Sequence, residues 1–147
     1  VGAREKGSVS GIGVTGHHDP EVLIHTVENW PLDAVLLPVN PVEGVLGGFP
    51  HSVIPAARKR GLGVIGMKVL GAGRFLAHYA GVTADQLIRF ALSENIDVAI
   101  VGCATPEEVR ILASAGRSPP LSAVERDRIL ELYRPVAERM AFYRGTL

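Results

Sequence analysis

The sequence predicts an α/β protein of four consecutive βα units with parallel strands. Two observations carry this. Short apolar runs, Val9–Thr15, Ala34–Val39, Gly63–Lys68 and Asp97–Val101, recur along the chain, each followed by a Gly- or Pro-marked loop and then a helical stretch. Strands alternating with helices specify a parallel sheet covered by helices. Ala34-Val35-Leu36-Leu37 is also apolar without a break, as expected of a strand buried on both faces. Four such units are as many as half of a closed eight-stranded barrel, and chemistry on that architecture gathers in the loops after the strands.

The elements follow in order. Ala3-Arg4-Glu5-Lys6 reads as the polar end of a helix with Gly7 as its stop, which suggests that the chain continues a preceding unit. After the first strand, Thr15-Gly16-His17-His18 leads to Asp19, a helix N-cap, and Pro20, suited to the first helical turn. That helix carries Val22, Leu23 and Val27 and ends near Asn29-Trp30-Pro31. Pro38-Val39-Asn40-Pro41 closes the second strand, and Val42–Pro50 reads as a long Gly-rich loop. A short helix spans 53–60 and stops at Gly61. The third strand runs into a flexible loop, Leu70-Gly71-Ala72-Gly73-Arg74. Thr83 with Gln86, Thr105 with Glu108 and Ser122 with Glu125 have the spacing of capping boxes and open three further helices. Pro135 should break the last one, leaving the tail from Met140 draped over the body.

The chain has 147 residues, 47% hydrophobic and 20% charged, enough for one domain with a real core. Lysine plus arginine equal aspartate plus glutamate, 15 against 15, so no basic excess points to nucleic acid. No apolar run approaches a membrane span. Cys103 is the only cysteine, which excludes a disulfide framework and makes a reducing, cytoplasmic setting the expectation.

Candidate chemistry lies at the strand ends. The turns after the first and fourth strands place backbone N–H groups and a helix N-terminus where an anion could bind, or merely where helices start. Glu107 and Glu108 oppose an anion at the second. His17 and His18 could contact a ligand, but no second cluster supplies the remaining ligands of a zinc site, and no metal is expected. His25 and His78 read as surface residues. Asn40 could offer its amide to a ligand or start a turn. Lys68 could be an anion contact, a nucleophile or an ion-pair partner. Met67 reads as core, and Cys103 as a small packing residue despite its place at a helix N-terminus. No serine nucleophile elbow or phosphate-loop lysine motif is present.

Gly11-Ile12-Gly13-Val14-Thr15-Gly16-His17-His18, Pro38-Val39-Asn40-Pro41-Val42, Gly63-Val64-Ile65-Gly66-Met67-Lys68-Val69-Leu70-Gly71-Ala72-Gly73 and Ile100-Val101-Gly102-Cys103-Ala104-Thr105-Pro106-Glu107-Glu108-Val109 occur in that order. Together they resemble the last four strands of the aldo-keto reductase superfamily, over essentially the whole chain. The resemblance implies a single partial domain, residues 1–147, equal to the C-terminal half of a TIM (β/α)8 barrel plus a C-terminal helix. The family passes a hydride between NADPH, sometimes NADH, and a carbonyl. Its Asp, Tyr, Lys and His tetrad lies in the first half of the barrel, so the resemblance assigns no catalytic residue here, and Lys68 is not the family's catalytic lysine. What it implies here is a cofactor groove. Thr15, Gly16, His17 and Asn40 would lie near the nicotinamide amide, and Met67 takes the place of a stacking aromatic residue. Lys68, Leu70, Gly71 and Gly73 would follow the pyrophosphate. Gly102, Cys103, Thr105 and Glu108 would flank the adenosine phosphate.

The departures from the pattern are specific. Leu36 replaces a glutamine that often holds the nicotinamide, and Ile111 and Leu112 replace a Glu-Asn pair that often holds adenine. Gly102 and Glu108 stand where many NADPH-dependent members carry basic residues, which makes NADH arguable. The expected partners are a carbonyl substrate in the full barrel and either a missing N-terminal half or a second copy, which would close the barrel. Two other classes stay open: a non-catalytic half-barrel acting as a binding or assembly module, and an independent flavodoxin-like α/β protein.

Overall fold

A computed structural model describes residues 2–78 and 81–144, with the side chains of 77 and 78 outside the description. It contains one four-stranded sheet in the order β1-β2-β3-β4, with every neighbouring pair parallel. The strands are β1 (Gly13–Thr15), β2 (Ala34–Pro38), β3 (Gly63–Met67) and β4 (Val98–Ala99). Strand order follows chain order without reversal, so there is no topological switch point of the doubly wound kind. This excludes the flavodoxin-like alternative.

The first and last strands are shorter than the sequence suggests. Val9 and Ile100, both assigned to strands above, lie outside the paired segments and are exposed. They flank the two open edges of the sheet, where pairing has only one side to come from.

The helices begin and end where their caps dictate. Asp19 accepts from the Glu21 N–H at the start of α2 (Pro20–Asn29). Full capping boxes open α6 (Ala84–Leu92), α7 (Pro106–Arg117) and α8 (Ala123–Tyr133). Gly7, at φ +69°, stops α1 (Gly2–Glu5): its N–H bonds the Arg4 carbonyl while the Ser8 N–H reaches Ala3. Pro135 divides α8 from α9 (Ala137–Met140) through a 3₁₀ turn, Arg134–Val136.

The supposed loop at 42–50 is the main correction. Asn40 caps a helix, α3 (Pro41–Leu46), by accepting from the Glu43 N–H. A π-helical turn, Phe49–Val53, then leads into α4 (Ile54–Lys59). The Asn-Pro start and an acid three residues on were the helix signal; Gly44, Gly47 and Gly48 obscured it. Gly44 is there for close packing, since a Cβ would fall 2.7 Å from Leu130 Cδ2 and 3.1 Å from Phe90 Cζ. The loop at 70–74 is likewise partly helical, with a 3₁₀ turn at Gly71–Gly73 and α5 (Arg74–His78).

One sheet face is covered by helices, fully at β2 and β3, and the other is not. Val35, Leu37 and Val64 are buried in a core with Leu23 and Val27 of α2, Ile54 and Ala57 of α4, and Ile88 and Ala91 of α6. On the opposite face Ala34, Leu36, Ile65 and Met67 are only half-buried, and Val98 is exposed. Burial of β2 on both faces, expected from its unbroken apolar run, is therefore met on the helix side alone. The other side is the one that points inward when such a sheet closes into a barrel. A second core, with Phe75, Leu87, Phe90, Tyr133, Met140 and Tyr143, joins α3, α5, α6, α8 and the chain end.

Candidate functional site: a rim at the carboxyl ends of the strands

Because the strands are parallel, their outgoing turns share one rim. A cavity of about 670 Å³ opens there, between the segments that follow β3 and β4. That size suits a small organic ligand. Six sequence candidates line it: Lys68, Leu70, Gly73, Gly102, Cys103 and Glu108. Much of the remaining lining is apolar, including Ile100 and Ile111, already marked by the resemblance, and Leu76 and Ile88, which motif reasoning did not select. Ile88 belongs to the apolar stripe of α6, and Ile111 with Leu112 breaks the polarity of α7 at half-buried positions.

The wall from Lys68 to Gly73 is conformationally unusual. Lys68 (φ 57°) and Ala72 (φ 55°) adopt the left-handed region without being glycine, as do Gly71 and Gly73. Such residues cost free energy and persist only where surroundings hold them. Here the Lys68 carbonyl receives the Gly71 N–H at 3.0 Å and the Asn40 side-chain amide at 3.2 Å. Among the described residues the Lys68 ammonium has no ion-pair or hydrogen-bond partner, so this wall carries a positive charge without a direct counter-ion. At Gly71 a Cβ would fall 2.7 Å from the Phe75 ring, in addition to the left-handed φ of 54°. Gly71→Ala is therefore expected to destabilise the fold by about 1–3 kcal/mol, a loss that urea denaturation would register.

The opposite wall is closed by the chain's own acid. Glu108 Oε2 accepts from the Ala104 N–H at 2.5 Å and the Thr105 N–H at 3.3 Å, while Thr105 Oγ1 accepts from the Glu108 N–H. The Ala104 and Thr105 N–H groups that lead into α7 are thus occupied by a carboxylate. Cys103 is half-buried, with Sγ 3.9 Å from the Val101 carbonyl.

The remaining candidates occupy the rim outside this cavity. Thr15 and Met67 end β1 and β3, and Gly16 and His17 follow β1. Gly71 and Thr105 adjoin lining residues without lining the cavity themselves. Asn40 is fully buried and its amide is engaged: it donates to the Lys68 carbonyl and to Tyr143 Oη (3.0 Å), and it accepts from Glu43 N. His18, His25 and His51 are exposed, and His78 lies outside the described side chains.

Sequence reasoning missed the chain's end as part of this rim. Residues Phe142–Arg144 cross it as a 3₁₀ turn. Arg144 is buried against Glu43, donating to both carboxylate oxygens and also to the Gly47 carbonyl at 2.8 Å. Tyr143 Oη meets Asn40, and Arg74 lies over the Phe142 ring at 4.2 Å. Burial holds the Glu43 carboxyl above the usual glutamate range, against the pull of Arg144. Burial and the nearby Glu43 charge push the Tyr143 hydroxyl well above an ordinary tyrosine.

A partial (β/α)8 barrel with its cavity at the carboxyl ends of the strands is the class these features define. No family model matches the sequence, and no curated protein matches it. Solved structures do match: the aldo-keto reductase AKR11C1 from Bacillus halodurans superposes with a TM-score of 0.69 in its holo form and 0.67 in its apo form. Identity is 13% in both, over 89% of this chain. The match covers 52% and 53% of those chains, so this chain spans about half the length of the reductase structures it resembles. At this identity the likeness is one of fold: this chain is built like part of the (β/α)8 barrel of that reductase.

Proposed function

We propose that this chain is the C-terminal half of an aldo-keto reductase-type oxidoreductase and supplies nicotinamide-cofactor loops for hydride transfer at a carbonyl. The observation that carries this reading is the convergence of Lys68, Leu70, Gly73, Gly102, Cys103 and Glu108 on one cavity. The cofactor would lie with its pyrophosphate against the Lys68–Gly73 wall, where an ammonium and left-handed backbone favour an anion. Asn40 would contribute by holding the Lys68 carbonyl in place. Thr15, Gly16, His17 and Met67 would lie toward the nicotinamide, and Gly102, Cys103, Thr105 and Glu108 toward the adenosine ribose. The hydride chemistry is the cofactor's, and the residues of this chain bind and orient it.

Glu108 decides which cofactor fits. A carboxylate accepts a hydrogen bond from a free ribose hydroxyl and repels a 2′-phosphate, so NADH is favoured over NADPH. Fluorescence titration of the chain with each dinucleotide tests this. NADH is expected to bind at least about tenfold more tightly, roughly the value of one charge-assisted hydrogen bond. Glu108→Gln should narrow the gap by improving NADPH. Equal affinities in the parent chain would remove Glu108 from this role, and binding of neither dinucleotide would remove the cofactor reading.

A second reading has its own observation. The half-exposed face bearing Leu36, Ile65 and Met67, flanked by open edges at β1 and β4, fits an assembly module that a first-half polypeptide or a second copy closes into a barrel. The two readings are compatible, because a reductase needs both halves.

A further inference from the structure

The carboxyl-terminal segment touches three successive rim loops: His17 after β1, Asn40 and Glu43 after β2, and Arg74 after β3. One of these contacts fixes a chemical state. His17 Nδ1 lies 2.7 Å from the Tyr143 backbone carbonyl oxygen. A carbonyl oxygen can only accept, so Nδ1 carries the proton and donates it. In the neutral ring Nε2 is then a bare lone pair, and His17 is exposed on the rim. Imidazoles used by proteins as acceptors, bases or ligands are commonly set this way, by a backbone carbonyl on the other nitrogen.

We infer that the Phe142–Arg144 strap is a positioning device that holds His17 in the Nδ1–H tautomer and presents Nε2 as an acceptor to a ligand N–H or O–H donor. Arg144 is its anchor. The guanidinium is buried against Glu43, bonds the Gly47 carbonyl and lies 5.3 Å from the Phe49 ring centroid, so the Tyr143 carbonyl beside it has little freedom. Tyr143 Oη, held to Asn40, fixes the same residue from its side chain. The strap would therefore set the chemistry of the first rim loop through residues remote from it in sequence. In naming the carboxamide of a nicotinamide as the donor, the inference rests on the cofactor reading above.

Two measurements test it. Long-range proton–nitrogen spectra of histidine-labelled chain at about pH 8, with His17 assigned by the His17→Phe variant, report the tautomer directly. A single Nδ1–H form is expected. A chain ending at Ala141 in a Glu43→Gln background, which leaves no buried carboxylate unpaired, should lose that preference. A mixed or Nε2–H ring in the parent chain would overturn the inference. So would an unchanged tautomer in the shortened chain, and should that chain fail to fold, the parent spectrum still decides.

The ligand arm compares NADH with its analogue bearing a nicotinic acid carboxylate in place of the amide. His17→Phe should weaken NADH about five- to tenfold and leave the analogue unchanged. Equal losses for both would remove the acceptor role. Failure of both to bind the parent chain would end the cofactor reading, while the spectra still judge the strap.

Discussion

Arg144→Met is expected to cost about 3–5 kcal/mol of folding stability at neutral pH, the usual loss when one member of a buried pair is removed. Glu43 has no exposed surface and Arg144 is 9% exposed, so water cannot replace the lost guanidinium. The loss should depend on pH. Burial already holds the Glu43 carboxyl above its ordinary value, and without Arg144 it would rise further. In that variant the native state keeps a proton that the unfolded chain releases, so stability falls as pH rises from the ordinary glutamate range through the raised native value. Acidification should therefore restore part of the loss. Glu43→Gln with Arg144→Met removes the buried charge altogether and should recover most of the stability. Urea denaturation at pH 5 and pH 8 measures all three. A single variant with parental stability at pH 8 would show that the pair does not hold the chain end to α3.

That ion pair illustrates what the sequence concealed. The strand-loop-helix alternation was legible because each unit is local: caps at Asp19, Thr83, Thr105 and Ser122 stand directly before the helices they start. Parallel order followed from those units. Asn40 and Glu43 were also a local signal, but the glycines that allow α3 to pack closely on Phe90 and Leu130 read as loop. Glu43 and Arg144 are separated by 101 residues, and His17 and Tyr143 by 126. No periodicity joins positions so far apart. The cavity lies between: its polar candidates fall in two short motifs, while its apolar wall is assembled from the segments after β3 and β4 and from α5, α6 and α7 by the fold.

The purified chain is expected to show no NADH- or NADPH-dependent reduction of an aldehyde or ketone. The reaction needs a proton for the carbonyl oxygen as the hydride arrives, and a positioned acid is worth about 10²–10⁴ in rate. Neither described tyrosine is placed to give one. Tyr133 is buried and donates to the Phe75 carbonyl at 3.0 Å, and Tyr143 is buried against Asn40 with its proton held tightly. Tyr79 lies outside the described residues. Lys68, which follows β3, faces a cavity without a described tyrosine or histidine among its lining residues. On the proposed reading, turnover should appear when the chain is co-expressed with a first-half polypeptide that carries the Asp, Tyr, Lys and His of an aldo-keto reductase. That polypeptide would cover the face bearing Leu36, Ile65 and Met67 and pair the open edges of β1 and β4. Spectrophotometric assay of each half and of the mixture, with gel filtration of the same samples, reads both effects. Steady turnover by this chain alone would place an acid within it and refute the division of labour. A mixed complex without turnover would leave assembly standing and remove the reductase assignment.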